Sequence, residues 1–420
     1  MPNFIYRPNT SASSLRVRVS RLPRAPAVLL CLWPTALLAA PLPSVFHLGP
    51  NGNEAAHPVY NAESGFGFEP DSATKFSVRL PEGNYRITVQ LGSKRASTHT
   101  TVRAEQRRLM LDNVATARGK FIERSFIVNV RTPTLGELPP NAPGGISVKL
   151  KPRELGALNW DDKLTLEFLP DASAVNSLRV EAVDVPTLYL AGDSTVTDQP
   201  VAPSASWGQV LPRFFDDQIA VANHAESGET LKSFMTELRF DKLLSKVKVG
   251  DWVMIQFAHN DQKVQWPQTY AEAETTYRAY LRTYIAEVRR RGATPLLVTS
   301  PDRRNFDDAG HIVSTLGDYP QAMREVATEE HVAVIDLNAM SRRFYEALGP
   351  DISPRAFADE GRDKTHFNDY GAWNLARCVV EGLRAADPAM AGQLALHLAT
   401  DAGPYDPAHP SPPASGKQFE

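Results

Sequence analysis

The segment TLYLAGDSTVTDQ, residues 187–199, decides the expected fold of this chain. An apolar run at residues 188–191 is followed directly by a Gly-Asp-Ser turn. A run of this length and composition is typical of a buried strand in a parallel sheet. Ligands bind beyond the carboxyl ends of such strands, so Ser194 is placed where a nucleophile would lie. A serine in a turn after a strand is also common turn chemistry, so the interpretation depends on the rest of the chain.

Strand-like runs alternate with helical periodicity after this segment. The runs are QIAVANHA, DWVMIQFA, TPLLVTS and VAVIDLN. Between the second and third, TYAEAETTYRAYLRTYIAEVRRRG places Tyr277, Leu281 and Ile285 at helical spacing, with arginines in the last turn and Gly292 just past it. Strands that alternate with helices imply a parallel sheet covered on both faces. We therefore predict a three-layer α/β domain of flavodoxin-like architecture over residues 186–400.

The preceding part of the chain has a period of two. KFSVRL, NYRITVQL, KLTLEFL and SLRVEAV alternate apolar and polar residues, and turn sequences such as PEGN and the Pro- and Gly-rich PTLGELPPNAPGG separate them. Short alternating strands with such turns predict an antiparallel β-sandwich. We assign this accessory domain to residues 46–185.

Composition places few limits on function. The 420 residues are 42% hydrophobic and 22% charged, as expected of a globular protein with two or three domains. A formal net charge of −3 gives no reason to expect nucleic acid or an anionic membrane as a partner.

The first 40 residues have the features of a secretory signal peptide. Five arginines precede the apolar stretch APAVLLCLWPTALLAA, which ends in small residues and is too short for a comfortable transmembrane span. The sequence therefore predicts export, secreted or periplasmic, without stable membrane insertion after the signal is removed; the alternative is a stray apolar amino terminus. Cys31 lies in this segment, which leaves Cys378 alone and the fold without a disulfide. The proline-rich tail, residues 401–420, is predicted to be loose.

A catalytic base and its partner are predicted near the carboxyl terminus, in DKTHFNDYGAWNLA. A serine hydroxyl is a poor nucleophile unless an imidazole accepts its proton. Asp363 and His366 are three residues apart before a helix, so the carboxylate can reach Nδ1 and leave Nε2 facing Ser194. The alternative is a turn aspartate that bonds backbone amides beside a surface histidine.

Two further segments offer hydrogen-bond donors for an oxyanion. Gly228, in NHAESGET, has no Cβ to keep a substrate from its N–H, and Asn260, in QFAHND, carries a side-chain NH₂ group. Alone, the first is an ordinary turn glycine and the second a loop asparagine. It is the order Ser, Gly, Asn and Asp-x-x-His, each after a strand or before a helix, that favours an acyl-transfer site.

This order resembles the SGNH hydrolase superfamily, the GDSL-type esterases and lipases. AGDSTV, HND and DKTHFNDYGA are most similar to its rhamnogalacturonan acetylesterase group, and the resemblance covers residues 187–386. It implies an oxyanion hole formed by the Ser194 N–H, the Gly228 N–H and the Asn260 side chain. It also implies that Ser194 is the nucleophile, His366 the base and Asp363 its orienting partner.

One position departs from the family pattern, and one domain resembles another group. Ala258 stands where the family usually has glycine, and its methyl group is expected to crowd the loop and displace Asn260 slightly. The amino-terminal sandwich is similar to the galactose-binding-like jelly rolls that accompany carbohydrate esterases. This second resemblance leaves open whether the domain binds sugar, binds calcium or only braces the cleft.

The resemblance implies a carboxylic ester hydrolase that removes O-acetyl groups from a pectic polysaccharide such as rhamnogalacturonan, through an acetyl-enzyme on Ser194. Trp207 and Trp266 are candidates for the rim of the site, where aromatic faces suit sugar rings, or for packing. His259 is a candidate substrate contact, or a loop histidine braced by Asp261.

Other chemistries have little support in the sequence. There is no His-Glu-x-x-His, no Cys-x-x-Cys and no phosphate-binding glycine-rich loop, so no metal and no cofactor is predicted. The alternatives that remain are another SGNH esterase (a xylan acetylesterase, lipase or thioesterase) and a non-catalytic carbohydrate-binding protein.

Overall fold

The computed structural model describes residues 45–49, 58–136 and 144–411. The predicted signal peptide, residues 1–40 with Cys31, lies outside the described residues, as does part of the predicted tail, residues 412–420. The described part of the tail, residues 401–411, is packed instead of loose: Ala402 is buried, and Tyr405 packs on the core and donates to Asn374 Oδ1 at 2.9 Å.

Nine antiparallel strands form two sheets in the described residues before Pro186. They are β1 Val45–His47, β2 Phe66–Phe68, β3 Lys75–Arg79, β4 Gly83–Gly92, β5 Thr98–Ala104, β6 Arg108–Thr116, β7 Phe121–Val130, β8 Lys163–Leu169 and β9 Val175–Val183. The strand orders are β1-β9-β4-β7 and β2-β3-β8-β5-β6. Apolar faces of the two sheets meet, since the ring centroids of Phe46 in β1 and Phe76 in β3 are 5.4 Å apart. The four strands predicted from alternation are β3, β4, β8 and β9.

A five-stranded parallel sheet follows, and it confirms the predicted α/β architecture. Its strands are β10 Thr187–Gly192, β11 Ala220–Asn223, β12 Trp252–Gln256, β13 Thr294–Val298 and β14 Ala333–Ile335. Their order is β11-β10-β12-β13-β14, with every pair parallel. Counted within this sheet the order is 2-1-3-4-5, the flavodoxin-like arrangement.

Eight α-helices accompany these strands in the described part of the chain. They are α1 Trp207–Val210, α2 Leu231–Thr236, α3 Arg239–Leu244, α4 Arg278–Arg289, α5 Tyr319–Glu329, α6 Leu337–Ile352, α7 Asp369–Ala385 and α8 Pro388–Ala391; a π-helical turn, Ala273–Tyr277, leads into α4. None of these helices is both long enough and apolar enough to cross a membrane.

Strand β10 is buried on both faces of the sheet. Leu188 and Leu190 belong to the core that contains the apolar side chains of α6 and α7, whereas Tyr189 and Ala191 belong to the core of α2, α4 and α5. All four are at most 4% exposed. Successive side chains of a strand point to opposite faces, so both cores hold the strand that ends at the Gly-Asp-Ser turn.

The parallel register brings three predicted site segments to one edge of the sheet. Gly192, at the end of β10, pairs with Gln256, at the end of β12, and β11 ends beside Leu190 of β10. The segments that follow these strands carry Ser194, Asn260 and Gly228. The strand order reverses between β10 and β12, and ligands of such sheets usually bind beyond the carboxyl ends of the strands at this point.

A buried ion pair joins the antiparallel sheets to the parallel sheet. Arg108 Nε in β6 donates to Asp198 Oδ2 at 2.6 Å, and Asn223 Nδ2 at the end of β11 donates to Asp198 Oδ1 at 2.8 Å. The described residues from 45 onward form one compact unit. The boundary at residues 185 and 186 therefore stays a prediction.

We expect Gly371→Ala to lower the free energy of unfolding by about 1–3 kcal/mol, because overpacking costs that much in close-packed interiors. A Cβ at Gly371, in the first turn of α7, would overlap the backbone carbonyl oxygen of Ala356, which cannot move as a side chain can. Chemical denaturation followed by circular dichroism measures the change. Gly403→Ala is the control, because its Cβ would meet nothing within 4 Å. Equal stability of the two variants would contradict the prediction.

Candidate active site

Ser194 lies in a tight turn directly after β10. The Asp193 carbonyl accepts from Val196 N–H at 3.1 Å and Thr197 N–H at 3.0 Å, and Gln199 Nε2 donates to the Ser194 carbonyl at 2.7 Å. A Cβ on Gly192 would stand 2.5 Å from Val196 Cγ2, so only glycine permits the turn to fold back on the strand. These hydrogen bonds and Gly192 therefore hold the backbone of Ser194 at the carboxyl end of β10.

His366 and Asp363 are in the loop that precedes α7, and the structure brings them to Ser194. His366 Nε2 is 2.9 Å from Ser194 Oγ, and His366 Nδ1 is 2.7 Å from Asp363 Oδ2. The loop is anchored on both sides of the histidine: Arg304 N–H donates to the Lys364 carbonyl at 2.8 Å, and Ala205 N–H donates to the Phe367 carbonyl at 2.8 Å. The hydrogen-bonded chain Ser–His–Asp is thus assembled from segments about 170 residues apart in sequence.

The Asp363 carboxylate is held in its ionised form. Burial raises its pKa, but the bond to His366 and the amides of His366 and Thr365 outweigh burial and lower the pKa to about 2. Oδ1 accepts from Thr365 N–H at 2.7 Å and from His366 N–H at 2.9 Å. Asp363 is therefore also the turn aspartate of the alternative interpretation, because its Oδ1 bonds two backbone amides. Its other oxygen, Oδ2, remains for the imidazole.

Three candidate donors at the carboxyl ends of these strands each keep a hydrogen without an acceptor in the described residues. Within the described residues, neither the Ser194 N–H nor the Gly228 N–H has an acceptor. Gly228 has φ of +84°, a left-handed conformation that favours glycine. Asn260 Nδ2 donates one hydrogen to the Glu229 carbonyl at 3.0 Å and keeps a second.

The Asn260 amide is fixed by Lys263, which the sequence analysis missed. Lys263 Nζ donates to Asn260 Oδ1 at 2.8 Å, so the oxygen is engaged and the NH₂ group is left as the donor. Ala258 is buried in the core of α2, α4 and α5, and both ends of the Asn260 amide form hydrogen bonds beside it. The only sequence signal for the role of Lys263 was its position three residues after Asn260.

The prediction of Trp207 at the rim of the site is wrong. Trp207 begins α1, is completely buried, and its Nε1 donates to Gln256 Oε1 at 2.8 Å. The indole N–H has a buried partner at the end of β12, so the side chain is part of the core instead of a sugar platform. Its neighbour Ser206 caps the helix by accepting from Gln209 N–H.

His259 is buried beside the site without the partner expected for it. Asp261 Oδ1 accepts from Leu231 N–H at 2.9 Å and its Oδ2 has no hydrogen-bond partner in the described residues, so the predicted brace from Asp261 to His259 is wrong. Burial lowers the pKa of His259 well below its ordinary value, and Arg303 lowers it further. The imidazole is therefore neutral near pH 7, and its contact with a substrate stays a prediction.

Trp266 is exposed, and it lies close to the candidate oxyanion donor. Its indole is 42% exposed, and Lys263 Nζ sits 4.0 Å from the ring centroid while bonding Asn260.

Arg303, also missed from sequence, bonds Thr365 Oγ1 at 3.2 Å in the loop of His366. Sequence gave no signal for Arg303, since it follows β13 without a motif.

No cluster of three or more His, Cys, Asp or Glu side chains among the described residues is arranged to hold a metal ion. The lone Cys378 is buried in α7, and burial raises the pKa of its thiol.

A doubly wound sheet with a hydrogen-bonded Ser–His–Asp chain at its carboxyl edge is the arrangement of a serine hydrolase of the SGNH type. The model of the GDSL-like Lipase/Acylhydrolase family matches residues 190–373. With 41% identity to one relative over most of that relative's length, the chain belongs to this family and is a carboxylic ester hydrolase.

Three relatives from Bacillus subtilis (strain 168) are similar to this chain. Rhamnogalacturonan acetylesterase RhgT is 41% identical over 209 residues, covering 47% of this chain and 88% of that protein. Probable rhamnogalacturonan acetylesterase YesY is 37% identical over 200 residues, covering 47% and 92%. Uncharacterized esterase YxiM is 29% identical over 318 residues, covering 74% and 75%.

We expect Asp363→Asn to reduce kcat on 4-nitrophenyl acetate by about 10³- to 10⁴-fold at neutral pH. The asparagine oxygen would keep the two backbone amides, so its NH₂ group would face His366 Nδ1. The proton of the imidazole would then sit on Nε2, which could not accept the Ser194 proton. Steady-state kinetics measures the loss.

Asp359→Asn is the matched control for this prediction. Asp359 is exposed, lies four residues before Asp363 and bonds Arg362. We expect this variant to keep wild-type kcat. If Asp363→Asn retained more than about a tenth of the wild-type rate, the orienting role of the carboxylate would be refuted.

Proposed function

We propose that the protein is a secreted serine esterase that removes O-acetyl groups from a pectic polysaccharide such as rhamnogalacturonan. The hydrogen-bonded chain from Ser194 through His366 to Asp363 carries this proposal. The substrate class is supported by the two relatives named as rhamnogalacturonan acetylesterases. Export is supported by the signal-like residues 1–40.

In the first half of the proposed reaction, Ser194 Oγ attacks the acetyl carbonyl carbon while His366 Nε2 takes its proton. The negative charge that forms on the carbonyl oxygen is stabilised by the N–H groups of Ser194 and Gly228 and by Asn260 Nδ2. The imidazolium then gives its proton to the sugar oxygen as the ester bond breaks. The free sugar hydroxyl leaves, and the acetyl group stays on Ser194.

In the second half, water replaces the sugar. His366 Nε2 removes a proton from the water, which attacks the acetyl-enzyme, and the same three donors hold the oxyanion. The imidazolium returns the proton to Ser194 Oγ as acetic acid leaves, and the acid then ionises to acetate. Asp363 stays ionised throughout, because its pKa of about 2 is far below neutral pH.

Positive charge beside the site supports a pectic substrate. Lys263 and Arg303 are close enough to repel each other, and burial together with this repulsion lowers the pKa of Lys263. Within the part of the chain that the structure describes, neither side chain forms an ion pair with a carboxylate, although Asp193, Asp302 and Asp363 act on Arg303 from a longer distance. Pectic chains carry uronate carboxylates, and these would be attracted to the unpaired cations.

The amino-terminal sheets are proposed to be a β-sandwich of the galactose-binding-like jelly-roll type. Support comes from the two antiparallel sheets with facing apolar sides and from the ion pair that fixes them to the α/β part. A sandwich held in this way would brace the catalytic part.

We expect wild-type protein to release acetate from acetylated rhamnogalacturonan, and Ser194→Ala to lose at least about 10⁴-fold of that rate. Acetylated xylan and a long-chain acyl ester run in parallel. Thr197→Ser, a hydroxyl residue three positions later that bonds the Ala225 carbonyl, is the control and should remain active.

Each outcome of this experiment has a distinct meaning. Release from xylan or the acyl ester alone would retain the serine chemistry and refute the pectic substrate. Unchanged release by Ser194→Ala would refute Ser194 as the nucleophile.

We expect Trp266→Ala to raise KM for acetylated rhamnogalacturonan about 5- to 30-fold, the loss of an aromatic contact of about 1–2 kcal/mol. KM for 4-nitrophenyl acetate should stay unchanged, because that ester does not reach the rim. Val249→Ala is the control: Val249 is exposed just before β12, at the opposite edge of the sheet. Equal KM changes for both substrates would contradict a sugar platform at Trp266.

A further inference from the structure

The segment around Lys151, between β7 and β8, reaches the loop that carries Gly228. Lys151 Nζ donates to the Ser227 carbonyl at 2.8 Å, and Arg153 Nη2 donates to the same oxygen at 2.5 Å. Both residues precede the stretch matched by the family model, which begins at residue 190. Two cations from the amino-terminal part therefore hold one carbonyl in the candidate active site.

That carbonyl belongs to the same peptide group as the Gly228 N–H. The bond between Ser227 and Gly228 is trans, since the cis peptide bonds among the described residues are Leu169–Pro170 and Ala202–Pro203. In a trans peptide group the C=O and the N–H point in opposite directions. When the Ser227 carbonyl is turned toward Lys151 and Arg153, the Gly228 N–H is turned away from them, with no acceptor of its own in the described residues.

The carboxylates on both sides of Gly228 are tied to the same two cations. Arg153 Nε donates to Glu226 Oε1 at 2.9 Å, and Lys151 forms an ion pair with the buried Glu229. The Glu229 carbonyl in turn accepts from Asn260 Nδ2 at 3.0 Å. The contacts therefore fix the residues before and after Gly228 and connect them to the second oxyanion donor.

The segment that carries the cations is itself anchored. Glu154 is buried and accepts from Arg239 Nη1 at 2.9 Å and from Trp160 Nε1 at 3.1 Å, and it also accepts from Lys151 N–H at 2.8 Å. A left-handed glycine turn has several accessible peptide orientations, because glycine has no Cβ to restrict it. A rigid external support is what selects one of them.

We propose that Lys151 and Arg153 are positioning residues for ester hydrolysis, which aim the Gly228 N–H at the oxyanion by holding the Ser227 carbonyl. Charge-assisted bonds to the carbonyl also polarise the peptide group and strengthen its N–H as a donor. The inference rests on the proposed roles of Ser194 and Gly228. It makes the amino-terminal part a structural component of the catalytic site.

The kinetic test compares wild type with the double variant Lys151→Met and Arg153→Met on 4-nitrophenyl acetate. Complete loss of one oxyanion donor costs about 10²–10³-fold in kcat, so a misaimed donor should cost about 10- to 100-fold, with KM within about twofold. Affinity for an aryl trifluoromethyl ketone, which forms a tetrahedral oxyanion on serine, should fall by the same factor.

Two further variants separate positioning from a general loss of structure. Lys149→Met removes a cation of the same segment that bonds the Thr236 carbonyl, and it should keep wild-type kcat. The double variant Lys151→Arg and Arg153→Lys keeps a charged hydrogen-bond donor at both positions. Its kcat should lie within about threefold of the wild-type value. Wild-type kcat in the Lys151→Met and Arg153→Met variant, or an equal loss in Lys149→Met, would overturn the proposal.

A crystal structure of the Lys151→Met and Arg153→Met double variant tests the positioning without any substrate. We expect the Ser227–Gly228 peptide to rotate so that its N–H leaves the direction seen in the wild-type chain. An unrotated peptide would overturn the inference even if the proposed esterase activity is correct. Conversely, a wild-type protein without Ser194-dependent hydrolysis would refute the proposed function while the peptide rotation still reports on Lys151 and Arg153. If the double variant does not fold, Arg153→Met alone serves, since Arg153 is exposed.

Discussion

The parallel pairing of β10 with β12 is the constraint on which the rest of the site depends. Gly192 pairs with Gln256, so the two strands end level with each other and their following turns share one edge. Both strands are buried on each face, and a one-residue slip would exchange the side chains of the two cores. Core packing therefore sets where the segments of Ser194 and Asn260 begin, and the hydrogen bonds within each segment then fix the two residues.

The nucleophile is held by its own turn, whereas the other groups of the site are oriented by charged partners. The backbone around Ser194 is fixed by the turn after β10, whereas the imidazole of His366 depends on the Asp363 carboxylate for its orientation. The candidate oxyanion donors depend on cations: Lys263 fixes the amide of Asn260, and Lys151 bonds the carbonyl before Gly228. In each case a charged group engages one end of a dipole and leaves the opposite end free for the substrate.

Sequence patterns predicted the secondary structure well where periodicity was strong. The alternation in β4 and the apolar runs of β10 and β12 each gave a strand, because burial on one face or both leaves a regular record. The prediction of Trp207 at the rim was wrong because an indole suits two environments equally well. It can lie at the rim of a site, or it can lie in the core when its N–H has a buried partner. Its partner, Gln256, is 49 residues away and no local pattern identifies it.

The sequence by itself determined the chemical groups and their order: a serine after a strand, a glycine turn, an asparagine loop and Asp-x-x-His before a helix. These are local features, and the spacing of Asp363 and His366 alone permits their hydrogen bond. Only the tertiary structure decided which distant residues support them. The contact of Lys151 with the Ser227 carbonyl joins positions 76 residues apart, and such a contact depends on how the antiparallel sheets pack against the parallel one. Packing of this kind leaves no periodicity in either segment, so the sequence carried no signal for it.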